Sequence, residues 1–267
     1  MNKTERRMLD LLRELKECYH VIAVKAEFEA EGSRTEELIK LNEVVFRADM
    51  DIVIKIGGCE AIRDMYECRL LGAKGVMAPM IETPFAMKKF ISSINKVFDE
   101  EEKRELEFII NAETLTCFEN YDEILKVPGA SLVNSVVVGR SDLSSSLGIA
   151  KADINNDVML EKTRIFLEKS RAAGMIASMG GGLSMPDTAA LRFIEKLRPL
   201  LDRFETRKVI FKSPEAIPVL SEGLKKAIEF EILHLRNKCE YYNRLSKADE
   251  ARLESMCKAY EKLCSGE

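Results

Sequence analysis

Short apolar runs alternate with longer amphipathic stretches along most of this chain. The runs VIAVKAEFE (21–29), DIVIKIG (51–57), GVMAPM (75–80), EFIINAE (107–113), SVVVG (135–139), GMIASMG (174–180) and RKVIF (207–211) have strand length. Three consecutive valines in the fifth suit a strand covered on both faces. Segments 35–48, 59–70, 84–99, 117–126, 155–172 and 186–202 repeat their apolar residues at helical spacing. Alternation repeated this often implies parallel strands joined by crossover helices. Seven strands over this length predict a (β/α)8 TIM barrel with one strand unread, and a doubly wound open sheet is the alternative. No GxGxxG follows the first strand, which disfavours a dinucleotide-binding sheet.

From Ser213 onward the pattern is helical only. It reads as two helices, the last starting at Ser246 with Asp249 completing a capping box. The chain is therefore expected to be a barrel over 1–212, opened by the helix MNKTERRMLDLLRELKE, with a helical extension over 213–267. That tail is expected to pack on the barrel or on a neighbouring subunit. Its apolar residues Ile228, Ile232, Leu235 and Cys239 recur at helical spacing, and a homo-oligomer is a natural outcome.

Composition narrows the chemistry. The 267 residues are 46% apolar and 32% charged, with a net charge of −4. No basic stripe points to nucleic acid, and no apolar run is long enough to cross a membrane. The N-terminal helix lacks a signal-peptide core, so a cytoplasmic protein is expected. Seven scattered cysteines without a CxxC read as reduced thiols. Only His20 and His234 are present, both expected as core or surface residues, so any metal must rely on carboxylates.

In parallel α/β folds the chemistry sits at the carboxyl ends of strands. The first strand delivers Glu27, Glu29 and Glu31, and the second Lys55 with Glu60 beyond it. The third brings Pro79, Met80 and Glu82, the fourth Asn111 and Glu113, and the fifth Arg140 and Asp142. Acidic groups converging in this way call for a cation. Glu113 and Asp142 leave neighbouring strands and suit a magnesium or manganese site. The competing reading makes Asp142 a cap or turn residue and Glu113 a helix cap. Two glycine loops, IGGCEA (56–61) and MGGGLSMPD (179–187, with Ser184 as cap and Pro186 in the first turn), suit a phosphate or CoA anion or are ordinary βα turns. Thr206 and Arg207 stand at the start of the last strand and are assigned to the far end of the barrel, as structural residues.

The segments GAKGVMAPMIETPFAMKKFI, INAET, NYDEILKVPG and SVVVGRSDLSSSLG resemble the HpcH/HpaI aldolase and citrate lyase family. The likeness is dense over 72–148 and looser back to EFEAEG and forward to about residue 180. It implies a (β/α)8 barrel holding a divalent metal, Mg2+ or Mn2+, through Glu113 and Asp142. It further implies a carbon–carbon lyase or aldolase that forms a metal-stabilised enolate of a pyruvate-like 2-keto acid or an acyl thioester. Backbone around Gly139, Arg140 and Ser141 would receive the substrate carboxylate, beside Pro79.

The chain departs from the family pattern at three places. Lys55 stands where relatives carry an enolate-stabilising arginine, and it reads as an electrostatic replacement, a Schiff-base lysine or an ion-pair partner of Glu29 or Glu60. The DxEH histidine is missing from EFEAEG, so Glu29 or Glu31 is the candidate proton shuttle. Arg140 replaces a smaller residue and either binds a second anion or points to the surface. Rival functions are a phosphoenolpyruvate-type phosphoryl barrel and a non-catalytic metabolite-binding homologue. No nucleic-acid or membrane partner is expected.

Overall fold

The computed structural model describes residues 1–183 and 188–265. These residues form a closed barrel with strand order β1 to β8: Val21–Glu27, Asp51–Lys55, Gly75–Ala78, Glu107–Ala112, Ser135–Gly139, Ile176–Gly180, Arg203–Glu205 and Val209–Lys212. Helices α1 (Lys3–Tyr19), α2 (Thr35–Arg47), α3 (Ile62–Leu70), α4 (Pro84–Val97) and α5 (Glu100–Glu105) belong to its first half. Helices α6 (Leu115–Leu125), α7 (Arg140–Ser146), α8 (Asp157–Ala172), α9 (Thr188–Leu197) and α10 (Leu220–Ser265) follow. The closed barrel replaces the open-sheet alternative.

The strand that the hydrophobic pattern does not reveal is β7, only three residues long. It is joined to β8 by a tight turn in which the Thr206 N–H donates to the Val209 carbonyl at 2.9 Å. No crossover helix fits in that turn, so β8 runs antiparallel to both β7 and β1. The barrel is thus parallel from β1 to β7 and closed by one reversed strand. Phe204 and Phe211 stack across that hairpin, their rings 5.1 Å apart.

Strand alternation divides the side chains into two sets. Ala23, Val53, Met77, Ile109, Val137 and Ile210 form a small apolar layer inside the barrel. Their out-of-phase neighbours, among them Val24, Ile54, Val76, Ile110 and Val136, join the larger core beneath the helices. Two residues beyond the inner layer, the same phase brings Lys25, Lys55, Asn111 and Gly139 to the carboxyl end. At the amino end Arg203 closes the floor, its Nη1 donating to both Glu107 carboxylate oxygens at 2.7 and 2.8 Å.

The tail is one helix. α10 runs through 46 residues without a break, about 70 Å at the usual rise. Ser246 caps nothing: its hydroxyl donates to Glu250 at 2.8 Å within the helix. SKADE satisfies the local cap pattern, but no glycine or proline stops the preceding turn. Leu224, Ala227, Phe230 and Leu233 form the buried stripe. The apolar row read from the sequence lies beside it, with Ile232, Leu235 and Cys239 exposed. Pairs between Arg7 and Glu229 (2.6 Å) and between Glu14 and Lys226 (2.8 Å) hold α10 against α1. Among the described residues no helix is long and apolar enough to cross a membrane.

Candidate functional site

A cavity of about 390 Å³ opens at the carboxyl end of the parallel strands. Five carboxylates line it (Glu27, Glu29, Glu113, Asp142 and Glu205), with four cations (Lys25, Lys55, Lys151 and Arg207). A near-balanced set of this density needs fixed partners, and the strands provide them.

Glu113 is the most enclosed carboxylate on the β2–β5 side, 1% exposed. One oxygen accepts from the Met80 N–H at 3.0 Å, the other from the Asn111 amide at 2.8 Å. Met80 can turn its N–H inward because it sits at φ 52°, in the left-handed region. The cap of α6 is Thr114, whose hydroxyl accepts from Cys117 N–H at 3.1 Å, so Glu113 is free of capping duty. Asp142 is likewise no cap, lying in the first turn of α7 after Gly139. Gly139 is dictated by this carboxylate: a Cβ there would lie 2.5 Å from a Glu113 oxygen and 2.8 Å from its Cβ. No larger residue fits.

Burial lifts the Glu113 pKa above the ordinary value, and nearby Asp142 adds to the rise. Lys55, the Met80 N–H and the Asn111 amide offset it only in part. The Lys55 ammonium lies 2.9 Å from Glu29 and 3.9 Å from Glu113. For Lys55 burial acts downward, yet Glu113, Glu29 and Glu27 outweigh it and hold the pKa above normal. A lysine kept protonated in this way is a poor Schiff-base nucleophile. Glu60 pairs with Lys89 on the outside instead.

Across the mouth stands a second cluster, of which the sequence pattern flags Glu27 but neither Lys25 nor Glu205. Lys25 lies 2.5 Å from Glu205 and 3.5 Å from Glu27. Burial again opposes its charge, and the two carboxylates more than compensate, raising its pKa. The phase of VKAE, which sets Lys25 and Glu27 two apart in β1 and so on one face, was the available signal. Thr206 and Arg207 also line the cavity. Their assignment to the far end assumed a parallel last strand. β8 is reversed, so its start faces the mouth.

The remaining candidates divide. Gly139, Ser141, Glu29, Lys55, Glu113 and Asp142 all line the cavity. Glu31 does not: it is paired with buried Lys208 and faces a neighbouring cavity under α10. Pro79 is buried behind the wall and serves to deliver Met80. Arg140 is fully buried and turned away, bonding to Asn155 at 2.8 Å and to the Gly181 carbonyl at 2.5 Å, with its guanidinium 4.3 Å from the Phe193 ring. It is neither an anion receptor in the cavity nor a surface residue. Its work is to tie the β6 loop to α7.

Of the two glycine loops, only one reaches the site. Gly57 donates its N–H to Asp64 at 2.7 Å, so the chain's own carboxylate takes the place an anion would need. Gly180, Gly181 and Gly182 do line the cavity, whereas Ser184 and Pro186 lie outside the described residues. His234 stays neutral, its pKa lowered to about 3 by burial and by Lys208 and Lys238. Neither it nor His20 lines this cavity.

Among the described residues no three His, Cys, Asp or Glu side chains gather into an all-protein metal site. A divalent ion here would rest on two carboxylates, completed by substrate and water. One observation fits that arrangement. Beside Glu113 the buried Asn111 Oδ1 has no hydrogen-bond partner among the described residues. With Glu113 and Asp142 it makes an all-oxygen donor set of the kind hard cations take.

Residues 42–190 match the family model described as HpcH/HpaI aldolase/citrate lyase. A comparison with curated protein sequences finds no match. The HpcH/HpaI aldolase from Desulfitobacterium hafniense DCB-2 aligns at a TM-score of 0.59 with 16% identity, over 82% of this chain and 88% of that one. A HpcH/HpaI aldolase/citrate lyase family protein from Burkholderia cenocepacia J2315 gives 0.58 and 16%, over 82% and 98%. The citrate synthase SbnG gives 0.57 and 16%, over 83% and 89%. At such identities the structural likeness establishes the fold.

Proposed function

The chain belongs to the HpcH/HpaI aldolase/citrate lyase family, and from that premise we propose that it is a divalent-metal-dependent carbon–carbon lyase or aldolase acting through an enolate of a 2-keto acid or acyl thioester. Family membership supports lyase-type chemistry. The observation that carries the finer reading is the buried Glu113, coupled to Asp142 and flanked by protonated Lys55 and the unpartnered Asn111 Oδ1.

Glu113 and Asp142 would hold Mg2+ or Mn2+, with Asn111 Oδ1 facing them. When bound, such an ion supplies Lewis-acid polarisation of a keto oxygen. Lys55 sets its ammonium beside the oxygen on which negative charge develops, and Glu29 fixes that ammonium in place. The N–H groups opening α7, at Arg140 and Ser141 after Gly139, receive the substrate carboxylate. Asn111 and the Met80 N–H hold Glu113 in one orientation.

Deuterium uptake by NMR tests this reading, with pyruvate, oxaloacetate and acetyl-CoA offered in D2O with Mg2+ or Mn2+. Exchange at one methyl or methylene is expected for the wild type, dependent on metal and lost in Asp142→Ala. Turnover that survives Asp142→Ala undiminished would sink the proposal.

A further inference from the structure

The metal-side residues account for only half of the cavity. Glu205 stands on the opposite wall and has no part in the chemistry just assigned. It is 3% exposed, yet it lines the cavity. One of its oxygens is held by Lys25 at 2.5 Å, and the other, Oε2, is buried without a hydrogen-bond partner among the described residues. A buried carboxylate oxygen left without a donor is costly. In a cavity that receives substrate, it is a place prepared for a donor that arrives with the substrate.

The chain builds this position deliberately. In the register of the hairpin Glu205 lies opposite Ile210, a member of the inner apolar layer, so its side chain points into the barrel. The turn behind it is locked by Thr206, whose hydroxyl accepts from the N–H groups of Lys208 (3.3 Å) and Val209 (3.2 Å). On the neighbouring strand Gly180 leaves the space: a Cβ there would meet the Glu205 Cγ at 3.0 Å and Oε1 at 3.1 Å. Of the other carboxylates, Glu27 pairs with Lys25 at 3.5 Å and Asp142 is assigned above to the metal side. Glu29 holds Lys55, Glu31 holds Lys208 outside the cavity, and Glu113 has both oxygens bonded.

The geometry points to Glu205 as the catalytic base for the electrophile half of the reaction, with Lys25 as its positioning residue. The inference rests on the lyase reading above and concerns its electrophile half, where a hydroxyl stands on the carbon beta to the carbonyl of the 2-keto acid or acyl thioester. In the cleavage direction Glu205 Oε2 takes the hydroxyl proton. The O–H bond breaks, a carbonyl forms at that carbon, and the carbon–carbon bond breaks with its electron pair passing to the enolate fragment. The enolate carbon takes a proton from water, and Glu205 returns its own to water. In condensation Glu205 gives the proton back to the new alkoxide. No oxidant or reductant enters.

The test separates the two halves in Glu205→Gln, with Mn2+ and pyruvate throughout. Wild-type protein should exchange the pyruvate methyl with D2O and condense pyruvate with glyoxylate or glycolaldehyde. Glu205→Gln should keep methyl exchange within about twofold and lose condensation by roughly a hundredfold or more, the usual size of a general-base contribution. If Glu205→Gln does not fold, the double variant Lys25→Met/Glu205→Gln, which removes both buried charges, is measured in its place with the same expectation. Equal loss of exchange and condensation would make Glu205 structural, and retained condensation would make it idle. Either overturns the inference, as does a wild type that exchanges the methyl but condenses with neither aldehyde. A wild type that exchanges nothing fails at the earlier step and overturns the lyase reading itself.

Discussion

Replacing Glu113 with glutamine tests whether the site is held at a cost to the fold. Two effects compete. Removing one member of a buried ion pair usually costs about 3–5 kcal/mol, because the other charge is left alone. Lys55 would not be left alone, since Glu29 sits at 2.9 Å, closer than Glu113 at 3.9 Å. Glutamine keeps an acceptor for the Met80 N–H, and the unpartnered Asn111 Oδ1 can receive its new amide protons. What disappears is the burial of a negative charge beside Asp142, which is what raises the Glu113 pKa. The sign follows by linkage. A carboxyl whose folded value exceeds its unfolded value near 4.5 contributes stability that is full below that value and lost as the pH rises through the folded one. At neutral pH wild-type protein bears that loss, and Glu113→Gln does not. The variant should be more stable by about 1–3 kcal/mol, the range seen when buried charges give way to neutral groups. For a chain of this size that is a Tm higher by roughly 2–10 °C. Thermal melts in chelator, from about pH 8 down to about pH 4.5, should show the advantage shrinking toward the acid end. Added Mn2+ should narrow it from the other side, by stabilising the wild type alone. A variant less stable than wild type at neutral pH in chelator, or an advantage indifferent to pH, refutes the reasoning.

Two other substitutions probe the walls. Gly139→Ala places a Cβ 2.5 Å from the Glu113 carboxylate. It should cost about 1–3 kcal/mol by overpacking and abolish metal-dependent exchange, read by urea denaturation and by the NMR assay. Arg140→Met leaves the Gly181 carbonyl and Asn155 without their bonds. It should cost about 1–3 kcal/mol in urea denaturation, the penalty of buried acceptors left unpaired, and lower activity through the loosened β6 loop, although the Arg140 side chain does not line the cavity.

The parts of this molecule that were legible share a physical reason. β1 to β6 are buried strands, and burial on both faces leaves apolar runs that need no partner to be recognised. Glu113 and Asp142 were legible because each directly follows such a run, where position along the chain fixes position in the barrel. Side-chain direction was less so. Arg140 lies between them in that respect: it leaves the same strand as Asp142, but α7 begins at Arg140, and two residues of helix turn the side chains to different sides. One is driven into the packing against Phe193 and the other is left in the cavity.

What stayed hidden depends on direction, which local pattern does not encode. β7 offers three residues, and RKVIF reads the same whether its strand runs up or down. Reversing that one strand moves Thr206 and Arg207 from the floor to the mouth, beside Glu205 at the carboxyl end of β7. The same limit explains α10, where a capping pattern at Ser246 is satisfied within an unbroken helix. The consequence for function is specific. The motif-bearing strands supply the half of the site that would hold a metal and an enolate, which is the half a resemblance can carry. The hairpin that no motif marks supplies Glu205, so the half of the cavity that local pattern leaves unread is built where β8 turns back.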